Sequence, residues 1–120
     1  MSISRTLALV EASPAGSATL DAAIAEVLDL DQAPYTQSID AAMRLVPDGW
    51  TIAQLSQRTD GRGRISGWTA DLFRANLAIL PDAPARLMPS APLALATASL
   101  RARVDRTRAE RTRAERAKAA

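Results

Sequence analysis

The 120 residues contain no cysteine and no histidine. The first absence excludes disulfides, thiolate nucleophiles and most zinc sites. The second excludes imidazole metal ligands and every histidine-containing triad. Any catalysis is left to carboxylates, hydroxyls, arginines, Tyr35 or Lys118. Lack of cysteine is compatible with a reducing compartment without establishing one. Aromatic residues are scarce at 3%: Tyr35, Trp50, Trp68 and Phe73, all between positions 34 and 73. No run reaches the roughly eighteen apolar residues that a membrane span requires. The apolar stretch Thr6–Val10 stops at Glu11, too short for the core of a secretion signal, so a cytoplasmic location is expected.

What is present is a 48% hydrophobic content, most of it Ala and Leu. That suffices for one modest core in one domain. The net charge of +2 hides an asymmetry: residues 1–100 carry seven basic and ten acidic residues, net −3, whereas residues 101–120 carry eight and three, net +5. The chain therefore divides into a mildly acidic body, 1–104, and a basic extension, 105–120.

The stretch 34–73 reads as the organising part, where the core is expected to form. Ile39, Ala42, Met43 and Val46 make one stripe of a helix over 37–46, capped by Thr36 or Ser38 and stopped by Pro47. Asp40 and Arg44 pair on its exposed side. Trp50 opens a strand over 50–57 whose alternation breaks. Trp50 and Ile52 point one way and Ala53 and Leu55 the other, as in a strand buried on both faces or one bulged near Ala53. Residues 58–66 connect it to a second strand with Trp68, Ala70 and Leu72 on one face and Thr69 and Asp71 on the other. Residues 77–80 are a candidate third strand, ended by Pro81.

Before this stretch, Ile3, Leu7 and Val10 give a short helix over 4–12. Leu20, Ala23, Ile24, Val27 and Leu28 give a clearer one, capped by Ser17 or Thr19, with Asp21 suiting its positive end. After it, Ser90 caps a final helix whose core stripe is Leu93, Ala96, Thr97, Leu100 and Val104. The Thr97 hydroxyl is expected to bond the Leu93 carbonyl. Beyond Val104 the chain repeats with period five (RTRAE, RTRAE, RAKAA), which fits no coiled-coil seam and predicts a solvated helical extension. The fold class is thus α+β: a small two- to three-stranded antiparallel sheet packed against helices, with a projecting C-terminal helix.

The order LDAAIAEVLDL (20–30), PYTQSIDAAMRLVPDGW (34–50), two strands, then SAPLALATASLRARV (90–104) resembles the phage α-β-α sandwich domain, a family of small bacteriophage and prophage proteins. The resemblance rests on Asp21, Ile24, Ala25, Pro34, Tyr35, Thr36, Ile39, Asp40, Ala42, Gly49, Trp50, Pro92, Leu93, Ala94, Leu95 and Leu100. It implies a phage-encoded accessory protein acting inside a bacterial host and supplies no catalytic residue. The repeat after Asp105 lies outside it.

Candidate contacts lie in two places. Arg58, Arg62 and Arg64, interleaved with Gly61 and Gly63, could meet a phosphate, although a flexible hairpin loop that keeps a sheet edge soluble is the preferred reading. Arg101, Arg108 and Arg111 head a basic helix that could meet nucleic acid or an acidic protein face. Asp105, Glu110 and Glu115 interrupt its charge and no aromatic interleaves, which favours a self-paired solvated helix. Trp50, Trp68 and Tyr35 fit core filling better than a ligand pocket. Asp40, Asp48 and Asp71 have no spacing that makes them converge, so no catalytic, metal or cofactor residues are assigned. The expected function is non-enzymatic binding of a host or phage protein. Nucleic-acid association through the basic helix and binding of a small ligand or nucleotide stand as the alternatives.

Overall fold

A computed structural model describes residues 2–74 and 86–119, with backbone only at 105–111 and 119. The described elements are helices α1 (Ile3–Glu11), α2 (Ala18–Leu28) and α3 (Ile39–Met43), strands β1 (Trp50–Thr59) and β2 (Ile65–Arg74), and helix α4 (Ala91–Ala119). This is an α+β fold: a two-stranded antiparallel sheet packed against helices, with the last helix running on past the body. The candidate third strand at 77–80 lies outside the described residues.

Each helix starts at a serine. Ser2, Ser17 and Ser38 accept from the backbone N–H three residues on, at Arg5, Leu20 and Ala41. Ser90 does the same for Leu93 at the head of α4. Each cap satisfies one of the free amides of a first turn, worth about 1 kcal/mol. Helix α2 ends at Asp29, whose φ of 54° is the left-handed turn that closes a helix.

The core is organised by α4, not by residues 34–73. Leu93, Leu95, Ala96 and Leu100 are fully buried, with Ala94, Thr97, Ser99 and Ala102 nearly so. A helix apolar on every side must be covered on every side. Helix α4 is packed against α1 and α3 as well as against both strands. Val10, Ile24, Tyr35, Leu45, Leu72 and Met88 join its core cluster, whereas Trp50 and Trp68 only flank it half-buried. The core is thus leucine and alanine, with Tyr35 its one fully enclosed aromatic.

One expectation about faces is corrected, and of the two readings of β1 the bulge is the one that holds. In α3 the buried residues are Ala41, Ala42 and then Leu45, while Met43 stands 52% exposed. The helix stops early because Arg44, Leu45 and Val46 donate back three residues rather than four, and Pro47 disfavours helical backbone at Val46. In β1, pairing runs Ile52↔Leu72 and then Gln54↔Asp71, leaving Ala53 unpaired as a bulge. The bulge resets the alternation, so Ile52 and Leu55, opposite Leu72 and Ala70, share the core face. The broken alternation in the sequence is the trace of that extra residue, and the strand is not buried on both faces.

Among the described residues, the outer edge of β2 is held by one bridge. Trp68 donates to Met88 O and Met88 to Trp68 O, both at 2.8 Å. Gly67 makes it possible, since a Cβ there would lie 2.7 Å from Met88 O.

Candidate functional site

Strand β1 ends at Thr59 and β2 begins at Ile65, so the connection is the five residues 60–64. Its centre is Asp60. One oxygen of the Asp60 carboxylate accepts from Arg62 N at 2.8 Å and from Arg64 N at 3.0 Å. Asp60 N donates to Arg64 O at 2.8 Å and Gly63 N to Asp60 O at 3.1 Å. Gly63 takes a φ of 80°, left-handed backbone that glycine adopts without penalty. The Asp60–Gly61 turn is where the sequence placed it, but the flexible loop is corrected. Four hydrogen bonds tie the tip, because an aspartate at the start of a turn can satisfy two amides at once.

The tip holds its side chains outward. Arg62 and Arg64 are exposed, and Ile65 beside them is 63% exposed. Leu87, next to the bridge at Met88, is 50% exposed. Ile65 and Leu87 were not among the residues read from the sequence. The signal for Ile65 was a lone β-branched residue directly after an Arg-Gly repeat, with no apolar neighbour to pair with.

Arg58 does not belong to that tip. It lies on the hairpin's polar face, where its Nε donates to Thr69 Oγ1 at 3.1 Å. Gln54 Nε2 donates to Asp71 Oδ2 at 2.8 Å and to Thr69 Oγ1 at 3.3 Å on the same face. Arg58, Gln54, Thr69 and Asp71 thus form one hydrogen-bonded row, and Arg58 has its Nε already occupied. The group imagined from Asp40, Asp48 and Asp71 is not assembled. Asp40 is exposed on α3, Asp48 is exposed in the turn before β1, and Asp71 is held by Gln54. Among the described residues no cluster of three or more carboxylates stands ready to hold a metal ion.

On α4, Arg101 is half-buried and already engaged. Arg103 donates from Nε and Nη2 to Leu45 O at 3.1 and 3.0 Å, closing the C-terminal end of α3. Both arginines belong to the body. Arg108 and Arg111 lie on the α4 backbone, and their side chains are outside the described residues. From Thr112 to Lys118 every residue is exposed. Thr97 does not bond the Leu93 carbonyl as expected: its hydroxyl, like that of Ser99, is buried without a partner.

The most connected buried polar group is Asp21, 2% exposed. Its carboxylate accepts from Thr36 N at 2.7 Å, Thr36 Oγ1 at 2.6 Å and Gln37 Nε2 at 2.7 Å. Thr36 Oγ1 in turn accepts from Ser17 N at 3.0 Å. Gly16 allows the approach, since a Cβ there would fall 2.0 Å from Thr36 O. With both oxygens of its carboxylate bonded by its own chain, this buried group joins α2 to the segment before α3 and reads as a structural fastening.

Fold and surface together define a small α+β protein with a tied hairpin tip at one place and an exposed helical arm at another. Comparison with protein-family models, curated proteins and solved structures finds no match. Among the described residues, no helix is long and apolar enough to cross a membrane.

Proposed function

We propose that this chain is a non-enzymatic binding protein that docks another protein against the tip of its hairpin. The observation that carries the reading is the tied loop, in which Asp60 fixes the backbone that displays Arg62, Arg64 and Ile65. A loop already ordered loses less entropy on association than a free one. Arginine is among the residue types enriched at energetically dominant interface positions, and Ile65 beside it adds apolar area that a partner can bury. The partner chemistry that suits it is an acidic protein segment with an apolar residue between its carboxylates. The resemblance to phage α-β-α sandwich proteins supports a phage or prophage accessory role, with a host or phage protein as partner in the bacterial cytoplasm.

The test compares the wild-type chain with R62E/R64E/I65D in capture from a bacterial lysate. Each captured protein is then purified and titrated against both chains. The expected result is one protein that binds the wild type directly and is lost by the variant, while the variant keeps the wild-type melting temperature. If every captured protein binds both chains equally, the tip is not the docking surface.

A further inference from the structure

We infer that the exposed length of α4 is a docking surface for duplex DNA, held through its phosphates. This is independent of the hairpin tip and uses none of its residues. The argument begins from what the arm lacks. Residues 105–119 contain no large apolar side chain and no aromatic. A helix-in-groove contact with a protein needs apolar anchors, and a single-strand platform needs rings for bases to stack on. Neither mode is open to this segment.

What the arm has is charge, and charge directed to every side. Residues 105–118 carry six basic and three acidic residues, net +3. The repeat length is five, so in an α-helix each copy is turned by about 140° from the last. The backbone positions of successive arginine pairs are therefore turned away from one another around the helix, and the sequence lines up no single basic stripe. Within the described side chains, Arg113, Arg116 and Lys118 are all exposed, and the last two also offset the negative end of the helix. Against a flat acidic protein face, a cylinder charged all round uses only the cations on one side. The major groove of B-DNA is walled by phosphates on both sides and, at about 12 Å, admits a helix of about 10–12 Å diameter. The A-form groove of duplex RNA is too deep and narrow for the same entry. The geometry of the arm thus fits a groove between two anionic walls.

The fold also presents the arm suitably. Arg103 is fixed to Leu45 O where the packed part of α4 ends. The helix then continues to Ala119, and the molecule's long axis reaches 56 Å against 31 and 22 Å for the others. The arm holds no Asn or Gln to read adenine edges, and the contact proposed is to the backbone phosphates, which position a helix without reading sequence.

The test is fluorescence anisotropy of a labelled mixed-sequence duplex of about 20 base pairs, titrated with the full chain at about 50 and 200 mM salt. With net +3 engaged, affinity should fall about forty-fold between the two salt concentrations. R113Q/R116Q/K118Q brings the arm from net +3 to zero and should abolish binding at low salt without moving the melting temperature. E110Q/E115Q should tighten it. Absence of binding at low salt overturns the proposal, as does binding that ignores salt or survives the triple substitution. Equal or tighter binding to single-stranded DNA, duplex RNA or polyglutamate overturns it too, and transfers the arm to that partner class. None of these outcomes bears on the hairpin tip, whose own variant, R62E/R64E/I65D, should bind the duplex as the wild type does.

Discussion

Replacing Asp21 by alanine removes the acceptor for three donors at once. Two of them, Thr36 N and Thr36 Oγ1, are on a residue 1% exposed, so neither can turn to water. Leaving a buried donor unsatisfied costs about 1–3 kcal/mol, and bonds to an ionised acceptor lie at the upper end. Thr36 Oγ1 can still donate to Ser17 O, at 3.3 Å, which recovers part of one bond. The third donor, Gln37, is exposed and contributes little. The expected cost is about 3–4 kcal/mol, a large fraction of the stability of a small domain. On the size scaling of unfolding entropy, that lowers Tm by about 10–15 °C. The assay is urea unfolding followed by tryptophan fluorescence and far-UV circular dichroism, with D21A, T36V and D21A/T36V in one cycle. Strong non-additivity, about 1.5 kcal/mol or more, identifies the carboxylate–hydroxyl contact itself as the source. A D21A chain within about 0.5 kcal/mol of wild type would falsify the claim that this carboxylate fastens α2 to the segment before α3.

Two further predictions follow from packing. G67A places a methyl group 2.7 Å from Met88 O and 2.9 Å from the Leu87 side chain, so it should break the Trp68–Met88 bridge and destabilise by about 1–3 kcal/mol. G61A, at a position with nothing within 4 Å, should change stability little, and equal denaturant midpoints for the two would contradict the close approach. T97V removes a buried hydroxyl that has no partner while keeping the shape of the side chain, so the melting temperature should rise, in line with about 1 kcal/mol gained. A fall of several degrees would mean that the hydroxyl is satisfied after all.

Much of the local structure was legible because it depends on neighbours along the chain. Serine caps announced the helix starts at Ser17, Ser38 and Ser90, and Trp50 opened β1 where the aromatic run began. Even the bulge left a signature, since Ile52 and Leu55 cannot share a face without an extra residue between them. What stayed hidden depends on distant partners. Alanine reads equally well inside or outside, so the alanines of α4 concealed that three layers meet on it. Asp21 looked like a favourable charge in a first turn, because its donors lie 15 and 16 residues further on. At the hairpin, the sequence grouped Arg58 with Arg62 and Arg64 by proximity. Strand pairing separates them, setting Arg58 opposite Gly67, where its side chain bonds Thr69, and leaving the other two at the tip.

Helix α4 changes character near Val104, and its outer half depends on its packed half. An isolated helix of some fifteen residues is marginal in water, because its first turn must be nucleated at an entropic cost. Here nucleation is already complete. Leu93 to Ala102 are fixed by contacts on several sides, so each residue of the arm only has to extend an existing helix. The ends of the packed half are secured as well, by Ser90 at the start and by Arg103 on the Leu45 carbonyl near the junction. The arm therefore draws its helical order from the packed half of the same helix. Its own sequence carries no apolar stripe: from position 105 to 117 it consists of arginine, alanine, threonine and glutamate with one aspartate, Asp105. A segment extended in this way keeps its direction from the body while Arg113, Arg116 and Lys118 stand exposed along it.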